Sequence, residues 1–201
     1  MEINRSLAVA QHLRPARMAR TAHANLRQDW FDAISAQKGS EILAVQTLRN
    51  ALMSASVTAS TAAIGLMGTV TLAASSLHPN FGDDAAALPP FTPRLAMELV
   101  LLALLFASLV CSVMAVRFYN HAGFIGGMTV KSGARKRWSA AGAAIVRKAG
   151  VLYVWGLQLL VLLAPVVAFI IHRVAGPIAE LIVFRVLFTL DRFLPEPFRK
   201  S

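Results

Sequence analysis

The sequence predicts an all-α fold: a polytopic helical membrane protein with three transmembrane helices plus amphipathic interfacial helices. Three observations carry this. First, Leu95 to Val116 (LAMELVLLALLFASLVCSVMAV) is almost wholly apolar. As a helix rising about 1.5 Å per residue it is roughly 33 Å long, enough to cross a hydrocarbon core of about 30 Å. Second, 56% of the 201 residues are hydrophobic and the mean hydropathy is +0.58, too apolar for an ordinary soluble domain. Third, the ten-residue alternation of apolar and polar residues that marks a membrane β-barrel does not occur. Residues 1–48 read as a basic cytoplasmic arm with an interfacial helix, and 49–201 as the helical membrane domain.

The arm carries Arg5, Arg14, Arg17, Arg20, Arg27 and Lys38, and no apolar core like that of a secretory signal. An organellar transit sequence is the alternative reading of its Arg-rich, acid-poor start. Leu26, Trp30, Phe31 and Ile34 recur at helical spacing, as in a helix lying at an interface. Gly39-Ser40 reads as a break and a new N-cap, and Glu41 suits the positive end of the next helix. That helix runs from Glu41 to about Ser76, roughly 54 Å, so its first turns stand in the cytoplasm. Its spanning part, about 51–77, is built from small residues. Ala51, Ala55, Ala59 and Ala63 form a four-residue ladder, and Ser54, Ser56, Thr58, Ser60, Thr61, Gly65, Gly68 and Thr69 fill much of the rest. Small residues let helix backbones approach, so a packing face is preferred to a polar pore lining.

His78 to Pro93 reads as a loop from its four prolines, Gly82 and paired acids, and it holds no Lys or Arg. Asp83-Asp84 lacks the ligand count of a calcium or zinc site. The second span, about 95–116, is followed by a basic segment with Arg117, Lys131, Arg135, Lys136, Arg137, Arg147 and Lys148. Trp138, Ile145 and Val146 among these charges suggest a surface helix on anionic lipid. By the positive-inside rule the arm and this segment face the cytoplasm and the acidic loop faces outward, in a bacterial inner membrane. The third span, about 151–171, carries Tyr153 and Trp155 as its aromatic belt and Pro165 as a kink. The segment 177–190 is apolar but interrupted by Glu180 and Arg185. It is short for a span and reads as an interfacial or re-entrant helix on the outer side, ahead of a fourth crossing. The tail charges Arg192, Arg199 and Lys200 argue for that crossing.

Chemistry-bearing residues are few. Arg49 and Asn50 enter the first span beside Gln46, and Arg117, Asn120 and His121 leave the second beside Tyr119. Antiparallel neighbours bring these groups together at the cytoplasmic interface. They read first as helix-end caps and anchors, and second as a site for a lipid headgroup or small anion. No nucleophile or carboxylate accompanies His121, so no enzyme is expected. Glu98 and Gln158 are polar groups near or within spans, read as a headgroup contact and an interhelical hydrogen bond. Cys111 is the only cysteine, which excludes an internal disulfide and any multi-cysteine metal site. The five histidines share no ligand spacing and no glycine-rich phosphate loop is present, so no cofactor is expected. The net charge of +10 is matched by anionic lipid at the cytoplasmic face rather than by nucleic acid.

Two stretches, EILAVQTLRN (41–50) leading into ALMSAS (51–56), and AVRFYNH (115–121), resemble the membrane-protein family of bacteria and plants catalogued as domain of unknown function 599. The likeness runs from about Arg27 to Asp191. Members of that family typically carry a further hydrophobic segment before the basic arm, and this chain starts without one. The resemblance implies architecture and no reaction. The expected role is therefore a structural or accessory subunit packing through its small-residue first span, as a homo-oligomer or with a membrane-protein partner. The alternative is lipid-headgroup or small-anion binding or transport through Arg49, Asn50, Arg117, Asn120 and His121.

Overall fold

A computed structural model describes residues 15–77 and 92–192. The acidic loop, residues 1–14 of the basic arm and the tail with Arg199 and Lys200 lie outside them. Among the described residues six helices follow in order: α1 (Pro15–Ala36), α2 (Glu41–Leu77), α3 (Pro93–Gly126), α4 (Gly133–Val161), α5 (Leu163–Ile171) and α6 (Ala175–Arg192). No strand occurs among the described residues. Three stretches are long and apolar enough to cross a membrane: Glu41–Ala74, Pro93–Gly126 and Gly133–Ile171. The protein is an all-α, polytopic helical membrane protein, as its sequence predicts.

Gly39, at φ 79°, turns the chain between α1 and α2. This left-handed conformation costs glycine nothing. Ser40 does not cap α2 with its hydroxyl. It donates instead to the carbonyls of Ile34 and Gln37, both at 2.7 Å, and so closes the end of α1. Burying one hydroxyl (Ser40 is 7% exposed) satisfies carbonyls that a helix end leaves open.

Helices α2 and α3 lie antiparallel. A Cβ on Gly126 would meet Leu48 at 3.2 Å and Ala44 at 3.6 Å, and one on Gly65 would meet Leu105 at 2.9 Å. The buried line on α2 is Ala44, Leu48, Ala55, Thr58, Ala62, Thr69 and Ala73, nearly all small, which is what lets the two backbones close up. Six α2 hydroxyls, those of Ser54, Ser56, Thr58, Thr61, Thr69 and Thr71, donate to the carbonyl four residues before them. Bonded within their own helix, they expose little polarity to lipid.

Thr92 caps α3, its hydroxyl accepting from the Leu95 N–H at 3.2 Å, with Pro93 in the first turn where a missing N–H costs nothing. Ser132 caps α4 in the same way, accepting from Arg135 N–H at 3.1 Å. From that cap α4 runs unbroken through the basic segment into the third span. The separate surface helix expected around Trp138 is therefore the lower half of one long helix, with Trp138 exposed and Val146 buried. The break comes at Leu162, three residues before Pro165, which has no N–H to offer the Val161 carbonyl and whose ring crowds it.

The helices α3 and α4 are tied inside the membrane. The Ser108 hydroxyl donates to the Gly156 carbonyl at 2.8 Å, buried, and a Cβ on Gly156 would lie 2.6 Å from Ser112 Oγ. The interhelical bond expected of Gln158 is thus made by Ser108 one half-turn away, where glycine lets the backbone itself be reached. Helix α1 runs antiparallel along α4: Ser35 meets Arg135, Phe31 sits on Gly142 and Arg27 lies across Gly150. Helices α5 and α6 form a hairpin closed where Gly176 meets Phe169, and α6 also touches α1.

Candidate functional site

The five residues singled out by sequence sit where two antiparallel helices carry them. The α2–α3 register that sets Ala44 beside Gly126 and Gly65 beside Leu105, continued along the pair, places Arg49 level with His121 and Asn50 level with Asn120. Arg117 is one turn deeper. All five are exposed, and among the described residues none makes a side-chain hydrogen bond or ion pair. The register sets them at neighbouring levels without a hydrogen bond between them among the described residues.

The polar junction that does form lies beside them and was not singled out. Arg135, in the first turn of α4, is 1% exposed. Its guanidinium donates to the Ile125 carbonyl near the end of α3 and, at 3.0 Å, to the Ser35 hydroxyl of α1. It also lies 5.2 Å over the centre of the Phe31 ring. The cation therefore meets the negative end of the α3 dipole, a hydroxyl and an aromatic face, each favourable to positive charge. Its Nε is buried with no hydrogen-bond partner among the described residues. Beside it Glu41, the first residue of a 34-residue stretch too long for a hydrocarbon core of about 30 Å and so beyond that core, accepts from the Val130 N–H at 3.2 Å. Backbone N–H groups, first its own and then that of Val130, hold its carboxyl below the usual range. One arginine and one glutamate thus lock α1, α2, α3 and α4 at this end.

At the opposite end Glu98 is buried, 3% exposed, and its carboxylate accepts from Arg94 Nε at 3.1 Å. The headgroup contact expected of this acid is replaced by a partner one turn back on its own helix. Two neighbouring hollows open here. One, about 780 Å³, lies between the start of α3 and the α5–α6 turn and is lined by Arg94, His172 and Arg173 among apolar groups. The other, about 450 Å³, runs down between α3, α5 and α6 and is lined mainly by apolar side chains. Met97 and Phe169 line both.

No group of three metal-binding side chains occurs among the described residues. The model of the family described as "Protein of unknown function, DUF599" matches residues 5–195. No curated protein and no solved structure matches the chain.

Proposed function

The chain belongs to the DUF599 family of proteins of unknown function, and on that premise we propose that it is a structural or accessory membrane subunit. The supporting observation is a second small-residue face on α2. Ala55 of the expected ladder is fully buried, as is Ala62 outside it, so the ladder is partly spent within the protomer. Turned away from α3 are Ser54, Thr61 and Gly68, exposed and seven residues apart, with Val57 and Ile64 between them, 66% and 72% exposed. A Cβ on Gly68 would meet nothing within 4 Å. Seven-residue spacing of small residues suits a second helix crossing at a shallow angle. The partner is a second copy of the chain or another membrane helix.

The test is Thr61→Leu combined with Gly68→Leu, with native mass spectrometry of the protein extracted in mild detergent. The double variant keeps its fold and loses the higher-mass assembly. An assembly unchanged by both leucines would sink the reading. Ala55→Leu is the contrast: it acts on the α2–α3 contact and lowers the stability of the protomer itself.

A second reading is favoured by the levelled, exposed set Arg49, Asn50, Arg117, Asn120 and His121: a site for an anionic lipid headgroup or small anion. Under it Arg117→Leu loses bound lipid or flux while expression holds. Either way the reading includes a basic end in the cytoplasm of a bacterial inner membrane, with anionic lipid against its lysines and arginines. It assigns no catalytic role: among the described residues the one histidine of the cluster has no hydrogen bond to a carboxylate or a nucleophile.

A further inference from the structure

We propose that the joined hollows at the end of the bundle away from Glu41 hold one anionic phospholipid, its phosphate beside His172 and Arg173 and an acyl chain between α3, α5 and α6. Amphiphile chemistry is written into the two compartments. The deeper one is walled by Val100, Leu104, Leu162 and Val166, open enough along α3 that Val100 is 42% exposed. The shallower one holds the cations. Met97 and Phe169 form the shared wall, so a single molecule with an apolar tail and a charged head passes from one to the other without burying charge.

The donors at the head are unspent. Arg94 already carries Glu98, but Arg173 is exposed and makes no ion pair among the described residues. His172 accepts the Val174 N–H on Nδ1 at 3.3 Å. Its neutral ring therefore keeps its proton on Nε2, a second donor. A guanidinium and an imidazole N–H side by side match the oxygens of a phosphate. Glu180 lines the deeper hollow and is exposed. It disfavours a free anion sinking to that level and leaves the charge at the mouth. Chain and head together explain both compartments; inorganic phosphate explains only one.

The experiment is native mass spectrometry of the full chain in detergent, titrated separately with phosphatidylglycerol, phosphatidylcholine and inorganic phosphate. One phosphatidylglycerol per protomer is retained, inorganic phosphate does not displace it, and phosphatidylcholine binds at least tenfold more weakly. His172→Gln with Arg173→Gln, both exposed, weakens retention at least tenfold, and so does Val100→Trp, which fills the deeper hollow. Arg137→Gln, an exposed cation at the other end, leaves it unchanged, so loss of positive charge alone does not account for the effect. Retention at the wild-type level in the His172/Arg173 variant, equal binding of phosphatidylcholine, or displacement by phosphate would each overturn the proposal.

Discussion

Arg135 is the most deeply buried charge among the described residues, and a sequence of scattered basic residues conceals it. Seven cations lie between Arg117 and Lys148, and composition treats them alike. What separates Arg135 is phase. It is in line with Gly142 and Ala149, seven residues apart on α4, and all three face inward. That periodicity was legible; the destination of the face was not, because α1 covers it from a hundred residues earlier in the chain. Removing the side chain leaves a void under Phe31 and frees the Ile125 carbonyl. Arg135→Ala is expected to cost about 2–5 kcal/mol, the range for emptying a large buried site. Arg137→Ala, on the exposed side of the same turn, stays within about 0.5 kcal/mol. Thermal unfolding in detergent separates the two. Glu41 gives a pH signature at the same junction. Its carboxyl is held below its free value of 4.5, so its contribution is full above that pH. The contribution fades as pH falls through the lowered value and the Val130 N–H loses a charged acceptor. The stability difference between wild type and Glu41→Gln should be flat at neutral pH and shrink on acidification. A difference that grows in acid would contradict the Glu41–Val130 tie.

At the scale of elements, glycine decides where helices meet. A Cβ on Gly142 would sit 2.5 Å from Phe31 Cε1, whereas Gly133, in the same helix, has nothing within 4 Å. Gly142→Ala should therefore lift α1 off α4 at a cost of about 1–3 kcal/mol, the usual range for overpacking. Gly133→Ala should cost nothing, and helix propensity alone favours it. Limited proteolysis within α1 reads the first effect directly: faster cleavage in Gly142→Ala and an unchanged rate in Gly133→Ala. Inside the membrane, Ser108→Ala removes the bond to the Gly156 carbonyl and should cost about 0.6 kcal/mol, the average for such bonds. Helix α3 runs past its expected end at Val116, through Arg117 and His121 to Gly126, because polar residues at an interface do not interrupt a helix. The bounds of α2 were readable, because hydropathy and the turn at Gly39 agree on them. The continuity of α4 was not, since hydropathy changes at about residue 150 while the backbone ladder does not respond to it. A change of solvent along the chain is not a change of secondary structure.

For the whole molecule, one labelling series reads the direction of its ends. Large apolar groups stand exposed all along the spans, with Met67 at 74%, Ile171 at 78% and Leu181 at 70%, which lipid must cover. Helix α6 belongs to the same body. It folds back along α5, touches α1, and at 18 residues is about 27 Å long. It is not among the three stretches long and apolar enough to cross, and its folding back along α5 suits the re-entrant form of the expected interfacial or re-entrant helix. Starting from Cys111→Ser, single cysteines at Lys131, Val174 and Thr189, all exposed, are challenged in intact cells with a membrane-impermeant maleimide. Val174→Cys, at the hairpin turn, should label. Lys131→Cys, beside the basic junction, should label only after the cells are opened. Thr189→Cys should be protected with Lys131, because the α5–α6 hairpin carries it back toward that side. Labelling at Thr189 as fast as at Val174 would return α6 to the outer surface. Labelling at Lys131 in intact cells would invert the whole bundle and put its basic end outside.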